Sequence, residues 1–134
     1  IAGSGELGLP VRPDIVRVGF VADGHKRALM QGCEALAMPS RYESLSLVML
    51  EAWTLGRAVL VEQACDVTSG HVEQCGGGLI CHDVDGWCRG LSELLRDRTR
   101  RAAMGVAGQR YVAERYDWNR VVSQLLSLVA RRAL

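Results

Sequence analysis

The chain has 134 residues, 49% of them apolar and 23% charged, with a formal net charge of +1. That size gives one domain with a single core rather than two, and the balance of apolar to charged residues excludes a disordered tail. A single Phe and scattered basic residues, with short pairs at Arg100-Arg101 and Arg131-Arg132, exclude the stacking platforms and basic stripes of a nucleic-acid binder, so no nucleic-acid partner is expected.

The first ten residues, "IAGSGELGLP", lack a basic segment followed by a long apolar run. No stretch approaches the ~18 uninterrupted apolar residues of a membrane span, so the chain reads as cytoplasmic. "IAG" (1–3) has the character of the last residues of a buried strand running into a Gly-Ser-Gly turn. A domain seldom begins in mid-strand, so the expectation is a piece of a longer protein. "IVRVGFV" (15–21) has strand length. "DGHKRALMQGCE" (23–34) reads as a helix with Asp23 as cap and Ala28, Leu29 and Cys33 on one side, although Gly32 weakens it. "ALAMP" (35–39) is a strand, and "SLVMLEAWTLG" (46–56) a helix capped by Ser46 and closed by Gly56. "AVLVE" (58–62) and "GLIC" (78–81) are strands flanking a short helix in 67–78 that glycines close. Strand and helix alternating in this order define an α/β fold, a partial Rossmann-like parallel sheet with flanking helices.

From residue 83 onward the pattern is helical only. Trp87, Leu91, Leu94 and Leu95 form one apolar stripe, and Met104, Ala107 and Tyr111 another. A last helix starts at the cap Asp117 and carries Trp118, Val121, Val122, Leu125, Leu126 and Val129 on one face. The aromatic residues Trp53, Trp87, Tyr111 and Trp118 fit helical stripes and read as core rather than as a sugar platform.

The chemistry concentrates in "PSRYESLSLVMLEAW" (39–53), where a strand ends, the chain turns and a helix begins. In parallel sheets, ligands bind at the carboxyl ends of strands, where helix amino ends present free N–H groups and a positive dipole end that suit a phosphate. Ser44, Leu45, Ser46 and Leu47 therefore count mainly through their backbone amides, with the hydroxyls of Ser44 and Ser46 as further donors. Glu43 in the turn repels a phosphate but suits the hydroxyls of a neutral polyol. Glu51 sits among Leu47, Val48, Met49, Leu50, Ala52 and Trp53, where an unpaired buried carboxylate costs several kcal/mol. Two readings stay open from the pattern alone: a helix cap plus a solvated acid, or two acids facing a cleft in which Glu51 accepts from the adjacent hydroxyls of a ribose.

The ordered set Pro39-Ser40, Glu43, Glu51, Ala52, Gly56 and then "RAVLV" resembles the signature of the retaining, nucleotide-sugar-dependent glycosyltransferases of family 4, also called group 1, which have the GT-B fold. The resemblance extends over "VRVGFVADGHKRALMQGCEALAMPS", "GGGLI" and "RYVAERYDWNRVV", so it spans nearly the whole chain. It implies that residues 1–134 form an incomplete C-terminal nucleotide-sugar-binding domain, with 118–134 a terminal helix that packs towards an absent N-terminal domain. It also implies Glu43 as the catalytic residue at the donor sugar and Glu51 at the ribose. The amides of Ser44, Leu45, Ser46 and Leu47 would lie near the diphosphate or sugar, and Gly19, Phe20 and Val21 against the base. The partners implied are a nucleoside-diphosphate sugar, as substrate rather than cofactor, and a sugar or lipid-linked acceptor.

The chain departs from the pattern at Ser44-Leu45-Ser46, where many members carry Gly-Phe-Gly. The basic pair that neutralises the diphosphate in the family belongs to an earlier segment, and Arg41 is not read as its replacement. A catalytically inactive nucleotide-binding or interaction module is the other reading, and the uncovered face of the last helix predicts self-association. Cys33, Cys65, Cys75, Cys81 and Cys88, with His71 and His82, contain no Cys-x-x-Cys pair and match no zinc-site spacing, so free thiols and no metal are expected. His25 and His71 read as surface or turn residues.

Overall fold

The computed structural model describes residues 1–3, 8 and 11–132. After α1 (Asp23–Gly32), three short strands alternate with helices: β1 (Ala35–Met38), α2 (Leu47–Thr54), β2 (Ala58–Glu62), α3 (Asp66–Cys75) and β3 (Gly78–Cys81). The strands form one parallel sheet in the order β1-β2-β3, with Ala35 opposite Ala58, Met38 opposite Val61 and Val59 opposite Gly78. Three helices follow, α4 (Val84–Arg96), α5 (Arg98–Arg115) and α6 (Trp118–Arg132).

β2 is apolar through Val61 because it is covered on both sides, and its period of two divides the core. Val59 and Val61 join Met38, Met49, Leu50, Ala52, Trp53, Val72 and Tyr111, on the side of α2, α3 and α5. Ala58 and Leu60 join Cys81 and Leu94, with Trp87 and Met104 against them, on the side of α4. Trp53 is fully buried and its Nε1 donates to Gly77 O at 2.9 Å. A Cβ at Gly77 would stand 2.6 Å from that Nε1, and one at Gly108 would overlap the indole itself. Those two glycines make the slot in which the indole lies.

Helix ends follow local chemistry. Asp83, Asp97 and Asp117 each accept from the amide three residues on, at 2.6, 2.8 and 3.1 Å. α2 closes as the sequence predicts, with Gly56 at φ 67°. Its N–H donates to Trp53 O and that of Arg57 to Ala52 O, which satisfies two end carbonyls of the helix.

Several expectations are corrected. Residues 15–21 do not form a strand of the sheet; they pair in parallel with 1–3 through Val18 N to Ile1 O at 2.9 Å and Gly3 N to Gly19 O at 2.8 Å. Val16, Val18 and Phe20 are exposed, as is Ile1, so this short ladder lacks the apolar cover that fixes a strand. The turn expected after Gly3 lies outside the described residues. Asp23 is the first residue of α1, whose N-cap is Ala22, and Met30 rather than Ala28 or Leu29 is its buried position. In α4 the buried line is Gly90 and Leu94, with Leu91 and Leu95 outside; in α5 it is Gly105, Gly108 and Tyr111. An apolar stripe cannot reveal a seam made of glycines. Trp118 is exposed rather than core, together with Leu125, Leu126 and Val129 on α6.

Candidate functional site

The loop from Pro39 to Ser46 leaves the carboxyl end of β1 and enters α2. Beside it, Ala64 to Val67 leave β2 and enter α3. The two connections enclose an open hollow of about 520 Å³, lined by Arg41, Tyr42, Glu43 and Ser44 on one side and Ala64, Cys65, Asp66 and Val67 on the other. Glu43 is half-buried on its wall.

Ser46 is not the side-chain cap that its position suggests. It has φ 59° and ψ 70°, the left-handed region, and its hydroxyl turns inward to donate to Met38 Sδ at 3.5 Å. For a residue with a Cβ this conformation costs about 1 kcal/mol. The carbonyl of Ser46 accepts from Met49 and Leu50, while the first turn of α2 carries no side-chain cap. Of the expected hydroxyl donors, Ser44 remains exposed and Ser46 is withdrawn into the core. Leu45 packs against the core and Leu47 is exposed.

Glu51 answers the question of an acid in an apolar helix through a partner that the sequence reading missed. Lys26 Nζ, from α1, lies 2.8 Å from Glu51 Oε1 and 3.3 Å from Asp23 Oδ1. Glu51 Oε2 is closed off from solvent and has no hydrogen-bond partner among the described residues. Asp23, Lys26, Arg27, Met30, Glu51, Thr54 and Leu55 line a second hollow of about 300 Å³. The two glutamates thus face different hollows. The available signal was Asp23-x-x-Lys26, an i,i+3 pair on a helix that starts directly after the Gly19-Phe20-Val21 loop. Gly19 has φ 64°, Phe20 is fully outside and Val21 is half-buried.

The bond to Glu51 raises the Lys26 pKa above its ordinary 10.5, with Asp23 adding to the effect. A raised folded-state pKa means that the pair's contribution is present in full below pH 10.5 and is lost as pH rises through the higher folded value. In Glu51→Gln the Lys26 titration midpoint, followed by the 13Cε resonance, is expected to fall; an unmoved midpoint rules out the pair in solution.

His71 is not a free surface residue: its Nδ1 and the Tyr111 hydroxyl share a bond of 2.8 Å, and that hydroxyl donates to Gln74 Oε1 at 3.2 Å. Burial first, and Arg115 second, push the His71 pKa down, which keeps the ring neutral at pH 7. The five cysteines are free thiols, and burial raises Cys33, Cys75 and Cys81. Among the described residues no cluster of His, Cys, Asp and Glu is arranged for a metal ion, and no helix is long and apolar enough to cross a membrane.

A parallel sheet flanked by helices, with a ligand-sized hollow at the carboxyl ends of β1 and β2, is the architecture of a partial Rossmann-like α/β domain. Residues 1–97 match the family model described as glycosyl transferases group 1, and the chain belongs to that family. It is 34% identical over 102 residues to D-inositol 3-phosphate glycosyltransferase of Salinispora tropica, covering 75% of this chain and 21% of that protein. The corresponding Stackebrandtia nassauensis protein is 32% identical over 117 residues, 83% of this chain and 26% of that protein. The chain therefore spans about a fifth to a quarter of these relatives. Among solved structures, sucrose-phosphate synthase from Thermosynechococcus elongatus superposes with TM-score 0.77 at 20% identity, over 87% of this chain and 29% of that one. Anabaena HepE, solved in complex with UDP and glucose, gives 0.73 at 21% identity, over 89% and 32%. The fold is that of the C-terminal part of a GT-B glycosyltransferase.

Proposed function

We propose that this chain supplies donor binding to a retaining glycosyltransferase, which moves a sugar from a nucleoside diphosphate to an acceptor hydroxyl. The observation that carries the reading is the uncapped amino end of α2 at the sheet's carboxyl edge, with Glu43 before it and Glu51 one turn within it. The complex of Anabaena HepE with UDP and glucose supports the same ligand class. Glu51 accepts from the ribose hydroxyls and Glu43 from those of the transferred sugar. The amides of Ser44, Leu45, Ser46 and Leu47 approach the diphosphate or sugar, and Gly19, Phe20 and Val21 border the base.

As the glycosidic bond breaks, negative charge grows on the departing diphosphate. The positive end of α2 stabilises that charge more than it stabilises the neutral bond, while the acceptor hydroxyl attacks on the same face of the sugar. Calorimetric titration of the chain with UDP, GDP and ADP tests donor binding. In Glu51→Gln the affinity for the preferred nucleotide is expected to fall about tenfold, the scale of one charge-assisted hydrogen bond. Unchanged affinity would remove the ribose role.

A second reading, a catalytically inactive interaction module, draws on the exposed apolar face of α6. On that reading the chain self-associates or docks a partner and binds no nucleotide, so the same titration separates the two.

A further inference from the structure

We infer that Lys26 is a positioning residue of the donor site: its ammonium holds Glu51 Oε1 and so fixes the carboxylate to which the ribose donates. The inference rests on the ribose assignment of Glu51 and adds the group that fixes the carboxylate in place. Lys26 and Glu51 come from different helices, 25 residues apart, and meet at 2.8 Å. The Glu51 side chain is 42% exposed, so without an anchor it has room to swing into water, and ordering it again on binding costs rotamer entropy.

The ammonium is itself held from a second side by Asp23 at 3.3 Å. The directed donor is the one to Glu51, and Asp23 adds an exposed ion pair on the other side of the ammonium. Oε2 is shut off from solvent, which leaves Oε1 as the oxygen within a ligand's reach. Oε1 keeps a lone pair beyond the one that Lys26 uses, so a ribose hydroxyl can donate to it.

The test compares the nucleoside diphosphate that the chain prefers among UDP, GDP and ADP with its 2′,3′-dideoxy counterpart, by calorimetry on the 134-residue chain. Lys26→Met is expected to weaken the ribonucleotide about tenfold and leave the dideoxy nucleotide unchanged, with Lys26→Arg restoring most of the loss. In the Glu51→Gln background, Lys26→Met should cost nothing further. A purely structural ion pair would lower both affinities alike, and that result overturns the inference. So does an unchanged Lys26→Met beside a weakened Glu51→Gln, which leaves the ribose assignment standing. An unchanged Glu51→Gln overturns the assignment and the inference together, as does a wild-type chain that binds no nucleotide up to ~10 mM. Should Lys26→Met fail to fold by circular dichroism, Lys26→Gln serves the same comparison.

Discussion

Trp53→Ala is expected to destabilise the chain by about 4 kcal/mol, the range for deleting a fully buried aromatic side chain. Three terms act together. The indole is 0% exposed in a slot bounded by Gly77 and Gly108, and backbone glycines offer no side chain with which to fill the void. Its Nε1 is the donor to Gly77 O, so that buried carbonyl loses a partner worth about 1 kcal/mol. It also meets the Tyr111 ring edge to face, with centroids 5.7 Å apart. A domain of this size has roughly 5–15 kcal/mol in all, so a large part of its stability rests on this side chain. Urea unfolding checks it: with a slope of about 2 kcal/mol per molar, the midpoint should drop by about 2 M. A drop of under about 0.25 M, the scale of a surface substitution, would show that α5 closes over the gap.

The slot also separates what the sequence discloses from what it hides. β2 was legible because a strand covered on both faces must be apolar along nearly all its length, and "AVLVE" is bounded by Arg57 and Gln63. Gly56 and Asp117 were legible because their tasks, a left-handed helix end and an amide cap, are local. The α5 seam was not, since Gly105 and Gly108 work by having no side chain: a Cβ at Gly105 would overlap the carbonyl of Gly56.

In the candidate site, placing Glu43 in the loop and Glu51 on α2 followed from spacing. The partner of Glu51 did not, because the position of α1 depends on tertiary packing. Ser46 misled for a different reason. Serine before a helix normally caps it, and only the inward pull of Met38 and the burial of the hydroxyl disclose a left-handed residue instead. The 15–21 segment has the composition of a strand but lacks the sheet contact that would bury it.

Glu43→Ala is expected to erase the extra affinity that a nucleotide sugar gains over its nucleoside diphosphate, by about a hundredfold, while leaving the diphosphate alone bound as before. On the proposed function the two carboxylates divide the ligand between them. Glu51 faces the hollow beside α1 and the Gly19-Phe20-Val21 loop, whereas Glu43 faces the one between the ends of β1 and β2. A carboxylate accepts from two adjacent hydroxyls at once, and each charge-assisted bond is worth about 1.5–3 kcal/mol, so losing the pair reaches the hundredfold scale. Glu43→Gln keeps the shape and one acceptor oxygen but loses the charge, and should lose less, about tenfold. Titrating wild type and both variants with the preferred nucleoside diphosphate and its glucose, mannose and N-acetylglucosamine conjugates reads the effect directly. Equal losses for the diphosphate and its sugars would assign Glu43 to the fold of the β1–α2 loop instead. A loss confined to one conjugate would identify the donor sugar, because only the right stereochemistry sets both hydroxyls against both oxygens.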